Sequence, residues 1–267
     1  MRIAGCVPAY NNESTIAKAV ESLKEQTIPL TDIFVVDDGS TDATAQRGKE
    51  AGAGVVTLGV NQGRGAARAR AILETHADFL LCVDGTNTLA PDFLEECLPW
   101  FEDMRVAAVY GRITQSSPKT AADRWRGRHL FRKQEPACGE NVGDLITGGL
   151  VQRVAHFKAV GNYNPDCRHS EDAEMGQRLI RHGYKTIYEP KAVLNTLTSN
   201  SLRQVFERYW RWNQGREDKL EVHQWLRFHW YVLRVMVAKD LHSGDFACAG
   251  ISALLPYYCA WRTLQNK

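Results

Sequence analysis

The chain lacks any apolar run of the roughly 20 residues that a membrane-spanning helix needs, and it has no excess of one charge. Its 33 Lys and Arg stand against 31 Asp and Glu, a formal net charge of +2, so bulk electrostatics do not point to nucleic acid. The seven cysteines (6, 82, 97, 138, 167, 248 and 259) include no C-x-x-C pair and no metal-ligand spacing. Their odd number and scatter favour a reducing compartment over a disulfide framework. There is no internal repeat, no low-complexity tract and no room for a signal peptide before the first strand. The expectation is a cytoplasmic protein, with the inner face of a membrane as its candidate surface of contact.

What is present is an ordinary globular composition over 267 residues, 44% hydrophobic and 24% charged. The first hundred residues alternate strand and helix patterns with short turns, the mark of a doubly wound sheet. Strands are expected at Ile3–Val7, Ile33–Val36, Val55–Leu58 and Phe79–Val83. A helix capped by Ser14 runs to about Gln26, and Thr41 or Asp42 caps the next one. A third helix spans Gly65–Thr75, and Pro91 opens a fourth. Beyond a strand at Val106–Ile113, residues 114–145 are polar, arginine-rich and without clear period. Ile146–Val151 then reads as strand or turn, Glu171–His182 as a helix closed by Gly183, and Tyr184–Tyr188 as a short strand. After Ser201 the pattern is helical and rich in Trp, Tyr, Phe and Arg. The uncharged run Phe246–Trp261, interrupted by Pro256, fits a buried helix or an interfacial one.

Two acidic turns carry the most chemistry: Pro8-Ala9-Tyr10-Asn11-Asn12-Glu13 and Asp37-Asp38-Gly39-Ser40-Thr41-Asp42. Both follow strands, and in open α/β sheets ligands bind outside the carboxyl ends of the strands. Carboxylates there repel bare phosphate and suit the sugar, base or metal of a nucleotide. These turns, Asn61–Arg70, Val83–Asn87 and Glu171-Asp172 occur in the order seen in family 2 glycosyltransferases, which the chain resembles over roughly residues 2–216.

The resemblance implies a GT-A fold, a Rossmann-like mixed α/β sheet flanked by helices, here with a C-terminal helical, aromatic and arginine-rich extension. It divides the chain into a nucleotide-sugar-binding half (1–105), an acceptor-binding and catalytic half (106–200) and the extension (201–267). It implies inverting transfer from a nucleotide-sugar, UDP-linked by preference, to a hydroxyl of a sugar, lipid-linked saccharide or glycan in cell-envelope polysaccharide or glycolipid synthesis. Peripheral membrane contact is part of that expectation, and nucleic acid is not.

Residue by residue, the resemblance makes Pro8 and Tyr10 the floor and wall for the base, with Asp38 accepting from it and Glu13 reaching the ribose. Asn61, Arg64 and Arg68 stand at a glycine-rich helix start suited to a diphosphate, or on a merely exposed arginine helix. Gly149, after Gly148, marks a turn where backbone approaches donor or acceptor. Asp172 is the candidate base and Glu171 its orienting partner, although acidic residues also favour any helix start.

At the family's metal motif this chain reads Asp84-Gly85-Thr86-Asn87. Asp84 and Thr86 are the candidate ligands for Mn or Mg, but threonine is a poor substitute for the usual second aspartate. Asn195 replaces a histidine common in relatives. Other ligands such as His169, or metal-independence with charge offset by Arg203, Arg208, Arg211 and Arg216, are the alternatives; the same segment also reads as an amphipathic helix packing its aromatics inward. Two other functions compete. A sugar-1-phosphate nucleotidyltransferase needs a basic glycine-rich loop after its first strand, where this chain has Tyr10–Glu13. A degenerate, non-catalytic nucleotide-sugar binder is favoured by Thr86 and Asn195 and opposed by Glu171-Asp172.

Overall fold

The computed structural model describes residues 1–115, 117–131, 139–141, 145–168, 170–213 and 221–265. Cys138, His169 and Arg216 lie outside the described residues, as does the Trp212 side chain. The chain divides into two compact units, Met1–Thr114 with Pro136–Leu197, and Gln115–Glu135 with Thr198–Lys267.

The strands are β1 (Ile3–Ala9), β2 (Ile33–Asp37), β3 (Gly54–Thr57), β4 (Phe79–Val83), β5 (Asn87–Leu89), β6 (Val106–Thr114), β7 (Gly139–Asn141), β8 (Gly149–Arg153) and β9 (Lys185–Thr196). The helices are α1 (Ile16–Lys24), α2 (Thr44–Glu50), α3 (Arg64–Glu74), α4 (Phe93–Cys97), α5 (Ala121–His129), α6 (Val154–Ala159), α7 (Glu171–Arg181), α8 (Leu202–Asn213), α9 (Val222–Tyr231), α10 (Ala238–His242) and α11 (Phe246–Gln265). A π-helical stretch, Val232–Val237, joins α9 to α10.

In the first unit the strands form one mixed sheet in the order β3-β2-β1-β4-β8-β6-β9-β5, with β7 pairing β9 off that path. β1 pairs parallel with both β2 and β4, whereas β8 runs antiparallel to β4 and β6. Successive strand residues face opposite sides. Val7, Val35, Leu81 and Val151 pack with Ile16, Val20 and Leu23 of α1 on one face. Cys6, Val36, Leu80 and Leu150 pack with Ile72 of α3 and Met175 and Leu179 of α7 on the other. Both faces are covered, which is why these strands read as unbroken apolar runs. Strand order reverses beside β1, so the loops after β1, β2 and β4 open at a topological switch point.

Several boundaries differ from the sequence reading. α1 begins after Thr15, whose hydroxyl donates to Gly85 O (2.5 Å) rather than capping its own helix. α2 begins at Thr44, with Asp42 Oδ1 accepting from Thr44 N–H (3.0 Å). Pro91 does not open α4, which starts at Phe93. The stretch 114–145 contains α5, started by a capping box in which Thr120 and Asp123 satisfy each other's backbone N–H.

The second unit is helical. Its core joins Trp125 of α5, Val205, Phe206, Tyr209 and Trp210 of α8, Val232 and Met236, and Cys248, Leu255 and Cys259 of α11. Of the two readings left open for residues 203–216, the aromatics at 206, 209 and 210 do pack inward. A buried polar network crosses this core. Trp125 Nε1–H donates to Ser252 Oγ (2.7 Å), which donates to Asp240 Oδ2 (2.6 Å). Arg128 (2.5 Å) and His129 (2.8 Å) meet Asp240 Oδ1. Burial opposes the charge of Asp240, but these donors outweigh it and hold the carboxyl below its ordinary value.

Candidate active site

The turns after β1 and β2 lie side by side and are laced together. Asn11, at φ +51°, donates its N–H to Ser40 Oγ (2.9 Å), and its side-chain carbonyl accepts from Thr41 N–H (2.9 Å). Asn12 N–H donates to Thr44 Oγ1 (2.7 Å) and Glu13 N–H to Asp42 Oδ2 (3.1 Å). Glu13 Oε2 accepts from Ala43 N–H (3.1 Å). Pro8 is half-buried, and the Tyr10 ring stands 44% exposed at the end of this braced rim. A rigid, exposed aromatic face is a platform on which a base can stack.

Asp37 and Asp38 are both buried. Asp37 Oδ1 accepts from Ser40 N–H (3.3 Å) and its hydroxyl, a turn-closing role. Asp38 Oδ1 accepts from Gln62 N–H (2.8 Å), and Oδ2 from Gly63 N–H (2.9 Å) and Asn61 Nδ2 (3.0 Å). Three donors converge on this carboxylate and fasten the loop after β3 to the rim. Asn61 is engaged on its other side too, since Arg168 donates to its backbone O (3.3 Å) and to its Oδ1.

The glycines before α3 also have a structural reason. A Cβ on Gly65 would lie 2.2 Å from Asn164 O, and Gly65 N–H donates to Cys167 O (3.0 Å). Gly63 takes φ +105°, and its Cβ position is 2.9 Å from Arg168 Cα. The loop 164–168 covers this helix start and takes up the amide of Gly65, the second residue of α3. Arg168 was missed in the sequence; the only signal was that Gly63-x-Gly65 required some backbone to come close. Arg64, by contrast, is exposed.

Arg68 is the hub. Its side chain, 3% exposed, donates through Nη2 to Asp84 Oδ1 (2.6 Å) and through Nε to Glu171 Oε1 (3.2 Å). Burial opposes its charge, but the two carboxylates outweigh burial and raise its pKa above the ordinary arginine value. Arg68 therefore joins the loop after β4 to the start of α7, rather than offering its guanidinium to solvent. Arg68 Nη1 and Glu171 Oε2 remain buried without a protein partner.

Asp172, next to Glu171 in the first turn of α7, is pushed above its ordinary 3.8 by burial and then by the Glu171 charge. Ala173 N–H, Arg68 and Arg64 pull the other way without reversing it. The result is a more basic carboxylate at the sheet rim. Gly148 O accepts from Asp84 N–H (3.2 Å) and from Asn87 Nδ2 (3.2 Å), which fixes the β4 loop against the start of β8. Gly149 lies under Leu89 and Leu194, each 3.1 Å from its Cβ position, so its small size serves packing. Arg208, half-buried, and Arg211, exposed, belong to α8 in the other unit.

The residues expected to hold a divalent cation fit that task poorly. Asp84 is already ion-paired with Arg68, Thr86 brings a neutral hydroxyl, and Asn87 is buried and bonded to Gly148. Among the described residues no group of three His, Cys, Asp or Glu side chains comes together as a metal site. A hard cation prefers several anionic oxygens.

The model of the family described as "Glycosyl transferase family 2" matches residues 6–161, more than half of the chain. The chain belongs to glycosyl transferase family 2. A hyaluronan synthase from Streptococcus pyogenes is 31% identical over 246 residues, covering 83% of this chain and 59% of that one. An N-acetylglucosaminyltransferase from Mesorhizobium japonicum is 26% identical over 246 residues, 83% of this chain and 57% of its own. The chain thus spans less than two thirds of the length of these curated relatives. In fold it is similar to a mannosyltransferase from Pyrobaculum calidifontis solved with GDP-Man and Mn²⁺ (TM-score 0.60, 18% identity, 99% of this chain and 74% of that one). It is also similar to S. aureus TarS (TM-score 0.55, 16% identity, 100% and 92%). This member of family 2 has the GT-A-like mixed sheet that its motifs imply, with a helical C-terminal extension.

Proposed function

We propose that the sheet rim transfers a sugar from a UDP-sugar to a hydroxyl of a saccharide or glycolipid acceptor at a membrane face, inverting the anomeric carbon. The observation that carries this reading is the Asp84–Arg68–Glu171 bridge, which ties the loop of the donor motif to the acidic start of α7. Asp172 takes the proton of the attacking hydroxyl, and its raised pKa makes it a stronger base than a solvated aspartate. Glu171, held by Arg68, keeps negative charge beside it. Tyr10 stacks on the base, and exposed Arg64 faces the diphosphate. Asp38 acts at one remove by holding the loop of Asn61 and Gly63 in place. The names of the relatives, an N-acetylglucosaminyltransferase and a hyaluronan synthase, support polysaccharide chemistry. Among solved structures of similar fold, GalNAc-T7 was solved with UDP and the mannosyltransferase with GDP-Man, so the donor screen includes both bases.

Mn²⁺ also accompanies the mannosyltransferase, but the residues here do not make a matching cation cage, and no step above runs through a metal. UDP release from UDP-sugars and GDP-sugars, measured with Mn²⁺ and with EDTA, tests the reading. It expects turnover of a UDP-sugar that survives EDTA in part. Turnover of GDP-sugars alone would overturn the donor, and none with any donor would overturn the activity.

A further inference from the structure

The second unit differs from the first in charge and in what it leaves uncovered. It holds 16 Lys and Arg against 8 Asp and Glu, a formal +8, while the first unit has 17 against 23, or −6. On the continuous helical stretch 222–242, Val222, Leu226, Trp230 and Leu233 are exposed at helical spacing and share one side, and Tyr231, Val235 and Leu241 are exposed as well. Arg227, Arg234 and Lys239 border that stripe, and Arg234 lies over the Trp230 ring (5.1 Å). Asp240, the one acidic residue of the stretch, is buried.

A second stripe runs along α11. Arg262 is its one charged residue, and Phe246, Leu254, Tyr257, Trp261 and Leu264 are exposed. Tyr257, although 55% exposed, also touches Trp225 and His229 of α9, so the two stripes are neighbours. A cleft of about 400 Å³ lined by Arg203, Glu207, Tyr258, Trp261, Arg262 and Gln265 opens between α8 and α11, with Glu207 paired to Arg262 (3.1 Å). No described helix is long and apolar enough to cross a membrane.

We infer that this face docks on the surface of an anionic lipid bilayer. Exposed aliphatic groups enter the boundary of the acyl region, Trp and Tyr sit at headgroup depth, and the bordering cations meet lipid phosphates. Charge favours this occupant. A second copy docked through the same face would bring a +8 unit against a +8 unit, whereas an anionic membrane complements it. The inference deepens the membrane-face part of the proposed function and uses no residue of the sheet rim.

The test is sedimentation of the whole chain with vesicles of phosphatidylcholine alone and of phosphatidylcholine with phosphatidylserine. Leu226→Ser with Trp230→Ser, Leu254→Ser with Trp261→Ser, and Arg227→Ser with Arg234→Ser are compared with the parent. Binding to the anionic vesicles alone is expected, weakened about tenfold or more by each pair and by raised salt. UDP affinity, read by calorimetry, stays unchanged. Failure of the parent to bind anionic vesicles overturns the inference, as does binding indifferent to the apolar pairs. Self-association without vesicles that the apolar pairs abolish would assign the face to a second copy and overturn it too. Docking without sugar transfer from any donor would leave the surface standing and remove the proposed chemistry.

Discussion

The two units solve the problem of charge in opposite ways. In the acidic first unit, carboxylates converge on one rim and are held there by donors: Asp38 by backbone amides, Glu13 by Ala43, Asp84 and Glu171 by Arg68. In the basic second unit, the acidic residues at 123 and 240 are buried inside polar networks, and cations line the exterior. The contrast teaches where each unit can meet a ligand. A rim of restrained carboxylates suits sugar hydroxyls and proton uptake, whereas a cationic face carrying uncovered aromatics suits a charged surface.

The largest effect is expected from Asp172→Asn. It should lower sugar transfer by about 10²–10⁴-fold, the usual contribution of a general base, with UDP affinity by calorimetry nearly intact. Transfer at the parent rate would end the contrast, because the rim would then lack its base. Next is Arg68→Met, which leaves Glu171 buried without its cation. Breaking a buried pair on one side costs about 3–5 kcal/mol, readable as a fall in stability to urea; a loss below about 1 kcal/mol would show that Arg68 is not the hub. In the second unit, Ser252→Ala removes the bond to Trp125 and one donor to Asp240. It should cost about 1–3 kcal/mol by the same measurement, without changing UDP binding. Arg124→Ala breaks a pair with Asp245 that is partly exposed on the arginine side (2.7 Å). It should cost about 1 kcal/mol or less, and a larger loss would mean that the exterior cations also stabilise the fold.

The sequence made the sheet legible because its strands are continuous apolar runs covered on both faces; Phe79–Val83 agrees to the residue. Helix α7 was legible from its acidic start and Gly183, at φ +80°. Helix α5 escaped notice because buried Trp125 and Arg126 interrupt a polar stretch, and only the pair Thr120 and Asp123 announced it. At the site, motif order singled out loops that the structure places in contact through Asp38 and Arg68. It could not say which carboxylates would face a ligand and which would face the protein. The partners of Asp38 and Arg68, at Gly63 and Glu171, lie 25 and 103 residues away in sequence.

The most direct test of the account is the pH dependence of sugar transfer by the parent chain and by Asp172→Asn. Burial and Glu171 raise the Asp172 pKa, so transfer should climb with pH along an acidic limb whose midpoint lies above 3.8. The same shift means that the folded chain holds this proton more tightly than the unfolded one, so Asp172 costs stability as pH rises through that limb. The prediction is that the limb is present in the parent and absent from the residual activity of the variant. An identical limb in both proteins, or one centred at or below 3.8, would contradict Asp172 as the base.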